Sequence, residues 1–171
     1  VALQDRVSEH QSKAMAALLE QGMNESQISQ FWQRLSDDYF TRFKPAQIAW
    51  HANVILAAHP MTDDFLLVGT SANTSKSGAE LIVYGKDKPM MFAQIASVLD
   101  SRNCSIHDAQ IMRTHDGYMF DSFIIFEHNG DRITSTSRLD SLRQAVETQL
   151  NKPGEEHINR RKMSRQMKQL D

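Results

Sequence analysis

Apolar positions recur at helical spacing through the first third of the chain and at strand spacing through much of the rest. Leu3, Val7, Met15, Leu18 and Leu19 give residues 1–21 an uneven apolar side, and Gly22 ends it. Asn24, with Gln27 three residues later, predicts the capped start of a second helix whose packing face is Ile28, Phe31, Trp32 and Leu35. An aromatic stretch, Tyr39-Phe40-Thr41-Arg42-Phe43, follows. Lys44-Pro45 opens a third helix, because proline is well tolerated at the first helical position. Its stripe is Ile48, Ala52, Ile55 and Leu56, and His59-Pro60 stops it.

The period then changes. Residues 64–71 can form a strand, residues 72–78 are a polar loop, and Ala79 to Tyr84 is strand-like. Pro89 starts a helix with Phe92, Ile95, Ala96 and Leu99 on one side, and Asn103 suits the left-handed position past its end. Ser105 to Thr114 and Tyr118 to Glu127 read as strands joined by a tight turn at Asp116-Gly117. Ser137 with Asp140 predicts the cap of a last helix carrying Leu139, Leu142, Val146 and Leu150, broken by Pro153-Gly154.

The fold class is therefore α+β: a helical segment, then β-α-β-β-α, one strand short of the ferredoxin-like β-α-β-β-α-β unit. Either the final strand is missing from this chain, or residues 64–71 take its place. The tail past Gly154 is polar and basic, with Arg160, Arg161, Lys162, Arg165 and Lys168, and this favours a missing strand. The last predicted strand is apolar on both faces, with Phe120, Ile124 and Phe126 on one and Met119, Phe123 and Ile125 on the other. Either a second layer covers the extra face (the N-terminal helices, another sheet or another subunit), or a bulge shifts the alternation.

Composition narrows the function classes. A net charge of −2 gives no general pull toward nucleic acid or an anionic membrane, and the basic tail lacks interleaved aromatics. Cys104 is the single cysteine, which excludes an internal disulfide framework and fits a reducing compartment. No apolar run reaches membrane-spanning length. Val1 stands where an initiator methionine would, which predicts a fragment boundary. The pairs His107-Asp108 and His115-Asp116 lack companion ligands, so neither metal nor catalytic residues are expected here. The adjacent carboxylates Asp37-Asp38 and Asp63-Asp64 read as capping and connector residues.

The loop Gly85 to Met90 differs, because it joins a strand to a helix N-terminus whose free N–H groups favour an anion such as a carboxylate. Asp87, Lys88, Pro89 and Met90, with Ser105 and Asp108 expected nearby at the start of the next strand, form a candidate site for both ends of a free amino acid. An ordinary tight turn with a capping carboxylate accounts for the loop equally well.

The run KDKPMMFAQIASVLDSRNCSIHDAQI resembles the signature of the ACT domain, a small module that often binds amino acids. With YFTRFKPAQIAWHA, DGYMFDSFIIFE and RRKMSRQMKQL, the chain is similar to the C-terminal part of the bifunctional uridylyltransferase/uridylyl-removing enzymes of bacterial nitrogen control. That resemblance implies a larger cytoplasmic parent with nucleotidyltransferase and HD-type hydrolase domains ahead of two ACT domains. The parent, expected to use magnesium, adds UMP to the PII signal protein when glutamine is scarce and removes it when glutamine is abundant. Residues 1–60 then follow the hydrolase, 61–154 form the first ACT domain, and 155–171 lead toward the second. The parent's catalytic residues are absent here, and no cofactor is expected within this chain. Implied partners are glutamine, PII through the parent, and the second ACT domain or a homodimer partner. The alternative is a ligand-free dimerisation or interdomain module. Many such loops read Asp-Arg-Pro-Gly; here Met90 stands in the glycine's place, which bears on whether this copy binds glutamine alone.

Overall fold

The computed structural model describes residues 2–75 and 77–153, so the basic tail with Arg160 to Lys168 lies outside the described residues. The elements in order are α1 (Ala2–Glu20), α2 (Glu25–Gln33), α3 (Asp37–Arg42), α4 (Pro45–Ala57), β1 (Leu67–Ser71), β2 (Ala79–Lys86), α5 (Met91–Ser101), β3 (Cys104–Arg113), β4 (Tyr118–Glu127) and α6 (Thr136–Leu150). The strands form one antiparallel sheet in the order β1-β2-β4-β3.

From β2 to α6 this is the β-α-β-β-α portion of a ferredoxin-like fold. The position expected to be empty is filled. β1 lies antiparallel to β2, with Leu67 opposite Tyr84 and Ser71 opposite Glu80. The fourth strand thus comes from before the unit, as in a circular permutation, and the expectation of a missing strand is corrected. The physical reason is that β2 otherwise presents an unpaired edge, which any strand of suitable direction can satisfy. Residues 64–71 have that strand and two anchors on α6: the Leu66 N–H donates to Asn151 Oδ1 at 2.7 Å and the Val68 N–H to Glu147 Oε2 at 3.0 Å. Gly85 allows the approach. Its φ is +153°, and a Cβ there would meet Leu66 Cδ2 at 2.8 Å and the Phe65 carbonyl at 3.0 Å.

Helices cover both faces of the sheet. Leu81, Val83, Phe123 and Ile125 pack with Ile95, Leu99, Leu142 and Val146 of α5 and α6. On the other face Ile82 and Phe120 share a core with Ile28, Phe31, Tyr39 and Ile48 of the N-terminal helices. The two-sided apolar pattern of β4 is therefore explained by helical cover. A bulge does occur, but in β3, between Ile106 and Asp108.

Local signals held at several helix ends. Asn24 Oδ1 accepts the Gln27 N–H at 3.1 Å, and the Lys44 N–H donates to Gln47 Oε1 at 3.0 Å in front of Pro45. Asn103 has φ 61° past the end of α5. Others moved. The aromatic stretch forms the short helix α3, and Ser135 rather than Ser137 caps α6 by accepting the Arg138 N–H at 3.3 Å. α5 starts at Met91 instead of Pro89, because Met90 is left-handed with φ 61°. That shift buries Met91 and turns Phe92 outward, 51% exposed, where the apolar spacing had placed it in the core.

The join between helices and sheet is polar at its centre. Glu80 of β2 and His51 of α4 are both fully buried. Glu80 Oε1 accepts from Gln47 Nε2 and Thr74 Oγ1, each at 3.1 Å, while Oε2 accepts from His51 Nε2 at 2.7 Å and Ser122 Oγ at 2.6 Å. These occupy the carboxylate's lone-pair sites. Burial alone would raise the Glu80 pKa, but the bonds from His51, Ser122 and Gln47 outweigh it and hold the carboxyl below its ordinary value. In a neutral ring, the Nε2–H given to Glu80 leaves His51 Nδ1 to accept the Tyr39 hydroxyl, 2.7 Å away. Burial pushes the Tyr39 phenol well above its usual value, with the Glu80 charge adding to it.

Removing the acceptor strands several buried donors at once. Glu80→Ala is expected to destabilise the chain by about 3–5 kcal/mol in chemical denaturation, with Glu80→Gln intermediate. A loss below about 1 kcal/mol for the alanine variant would show that the network is not holding the layers together.

Candidate functional site

The loop from β2 to α5 presents two sides. On one, Lys88 and Pro89 border a cleft of about 350 Å³ with Asp64, Gln94 and Lys152. Its polar groups are largely paired already: Lys88 Nζ lies 3.5 Å from the Leu150 carbonyl, and Asn151 bonds both the N–H and the carbonyl of Leu66. On the other side, Asp87 Oδ2 takes a 2.8 Å ion pair from Arg113 Nη2 at the end of β3. Both partners are about half exposed, so the pair is worth no more than about 1 kcal/mol and can be exchanged. Met90 sits at the helix start, 55% exposed.

Ser105 and Asp108 do not join this loop. A β-α-β crossover brings the chain back, so β3 begins where β2 begins and ends where β2 ends. Lys86 pairs with Tyr118, whereas Ser105 pairs with Phe126 and Asp108 with Ile124. At about 3.3 Å per residue, Ser105 lies roughly 26 Å and Asp108 roughly 20 Å along the sheet from the loop. Ser105 Oγ instead lies 3.4 Å from His128 Nδ1, and Asp108 Oδ2 accepts from Gln110 at 3.5 Å. His107 stacks on Phe126 with ring centroids 4.2 Å apart. Among the described residues no group of three or more metal-ligating side chains converges.

Asp121 of β4 does belong beside the loop. Val83 and Ile111 flank it in the sheet, and it shares the face of Met119 and Phe123 that looks toward α5. It is 1% exposed, and its Oδ1 is buried without a hydrogen-bond partner. An unsatisfied buried acceptor costs roughly 1–3 kcal/mol. Burial, reinforced by the neighbouring Asp87 carboxylate and only partly opposed by Arg113 and the Met112 N–H, raises its pKa to about 7. Ile111, its register partner, and Phe92, whose ring centroid lies 5.9 Å from that of Phe123 on the same face, are each 51% exposed.

The β3–β4 turn links this corner to the helical layer. Arg34, just past α2, pairs through Nε with Asp116 Oδ2 at 2.9 Å. Its guanidinium lies over the rings of Tyr84 and Tyr118, at 5.6 and 4.9 Å from their centroids. The His115 N–H donates to the Arg34 carbonyl at 2.8 Å.

Comparison with known proteins places this geometry in context. The family model described as "Uridylyltransferase GlnD fifth domain" matches residues 2–54, the helical layer. A protein of Aliivibrio fischeri named bifunctional uridylyltransferase/uridylyl-removing enzyme is 35% identical over 99% of this chain and 19% of its own length. Proteins of the same name from Photobacterium profundum and Idiomarina loihiensis are 36% and 32% identical over 93% and 97% of the chain, covering 18% and 19% of their own lengths. The chain belongs to this family. It spans about one fifth of the length of these uridylyltransferase/uridylyl-removing relatives. No solved structure gives a significant match. No helix among the described residues is long and apolar enough to cross a membrane.

Asp121 and Arg113 are the residues beside this loop that sequence reasoning missed. A signal existed for Asp121: it is the one carboxylate inside the apolar run Met119 to Phe126. Arg113 carried none, since only the crossover brings it to the loop. The Asp121 carboxyl also predicts a pH dependence. The native chain keeps that proton up to about pH 7, while the unfolded chain loses it near the ordinary value of 3.8. Between these limits the native state binds more protons, so the contribution of this group falls as pH rises. Asp121→Asn removes the titration. It should match the wild type near pH 4 and melt at higher temperature near pH 8, with a gap of at most about 4 kcal/mol, reduced by solvent screening. Thermal melts of both proteins across that range test this; parallel curves would place the carboxyl in water.

Proposed function

We propose that this chain is the regulatory, glutamine-sensing region of a uridylyltransferase/uridylyl-removing enzyme that acts on a PII signal protein in the cytoplasm and controls nitrogen assimilation. The observation that carries the reading is the match of nearly the whole chain to about one fifth of enzymes whose name joins two opposed activities. Running both at once would cancel them, so such an enzyme needs a region that reports which one to run. A ligand does this only by binding the two states unequally.

The local geometry supports a small zwitterion at the loop. The N-terminus of α5 offers free N–H groups to a carboxylate, and Arg113 lies beside it in an exchangeable ion pair with Asp87. Asp87, already paired, has the role of positioning Arg113. The Thr114–Tyr118 turn, held to Arg34, gives movement of Arg113 a route to the helical layer. Calorimetric titration with glutamine is expected to show saturable binding that Arg113→Ala weakens about tenfold, or about 1.4 kcal/mol. Equal affinity in that variant would remove Arg113 from the site.

One observation favours a second reading, a ligand-free dimerisation or interdomain module. β3 lies at the sheet edge, and Ile111, Phe92 and Met90 are large exposed apolar side chains near it. Light scattering over a concentration series separates the two. A monomer at all concentrations that binds glutamine leaves the sensor reading alone, whereas a stable dimer without glutamine binding replaces it.

A further inference from the structure

The proposed sensor site has anion-binding groups on the surface, but its unusual group is beneath them. Asp121 is the buried carboxyl with an unpartnered Oδ1, and it lies next to Asp87 and Arg113 under the start of α5. By contrast, Lys88 and Asn151 of the neighbouring cleft are already paired with backbone groups. Glu80, the other buried carboxylate on the sheet, has both oxygens occupied. The Met112 N–H serves the carboxyl group, but its Oδ1 is an acceptor without a donor, at the place where a zwitterion's carboxylate would meet Arg113 and the helix N-terminus.

We infer that Asp121 is the acceptor for the ammonium group of the bound amino acid, and that it makes the site select α-amino acids over carboxylates that lack the amine. This rests on the amino-acid-sensing reading above. A ligand whose carboxylate replaces Asp87 on Arg113 carries its ammonium on the adjacent carbon, toward the sheet. Reaching Oδ1 requires movement of side chains on this face, of which Phe92, packed on Phe123, is more than half exposed. The ammonium then gives the buried carboxylate the charge-assisted hydrogen bond that it lacks. The proton that Asp121 otherwise holds near neutral pH is released as the ligand's charge takes its place.

The test compares glutamine with 4-carbamoylbutanoate, which is glutamine without its α-amino group. Wild-type protein is expected to prefer glutamine by at least about tenfold, and Asp121→Asn to lower glutamine affinity to that of the analogue while leaving the analogue's affinity within about twofold. Preserved discrimination in Asp121→Asn overturns the assignment of Asp121 while leaving glutamine sensing intact. Absence of glutamine binding by the wild type overturns both. The carboxyl-carbon resonance of Asp121 in wild-type protein gives the same answer if the variant fails to fold. It should shift on adding glutamine and stay in place with the analogue; a resonance unmoved by saturating glutamine counts against the assignment.

Discussion

The structure depends on one buried carboxylate. Glu80 sits in the middle strand region of a sheet that is covered on both faces, and a lone charge there would be untenable. It is stable because donors converge on it from α4, from the 72–78 loop and from β4: Gln47 and His51, Thr74, and Ser122. No one of these elements satisfies the carboxylate alone. The helical layer, the strand connection and the sheet are therefore held in one register by a requirement that is electrostatic. The aromatic rings of Tyr39, Phe43 and Phe120 around His51 exclude water from that point and strengthen each bond.

With the helices fixed against one face, the sheet can present α5 and α6 on the other, and the β2–α5 loop emerges at the common end. β1 fills the place beside β2, so the Gly85 end of β2 is enclosed by Leu66 and Phe65. What remains open is the corner formed by Asp87, Met90, Phe92, Ile111 and Arg113. The left-handed Met90 is central here. Met90 takes a backbone conformation that favours glycine, with its side chain 55% exposed at the start of α5. The β3–β4 hairpin that carries Arg113 also carries Asp116, which is tied to Arg34, so this corner is linked to the helical layer.

Much of this is legible in the sequence. Helices, strands, the Asn24 and Pro45 helix starts and the left-handed Asn103 follow from spacing and local chemistry, because each depends on neighbours within a turn or two. Errors arose where a longer-range competitor won. Pro89 signalled a helix start, but the backbone at Met90 delayed it and exchanged the roles of Met91 and Phe92. Ser105 and Asp108 looked adjacent to the loop because they follow the next helix, yet the crossover sends them to the far end of the sheet.

The sequence by itself determined the fold class, most of the elements and the family, since periodicity and local motifs act over short distances along the chain. Only the tertiary structure decided that residues 67–71 complete the sheet, that the helical layer covers the second face of β4, and that Glu80 is satisfied while Asp121 is not. A carboxylate in an apolar strand reads the same in either case. Whether it becomes a structural anchor or an open acceptor depends on which donors the fold brings within hydrogen-bonding distance. Those donors come from residues tens of positions away, as Gln47 and His51 do for Glu80.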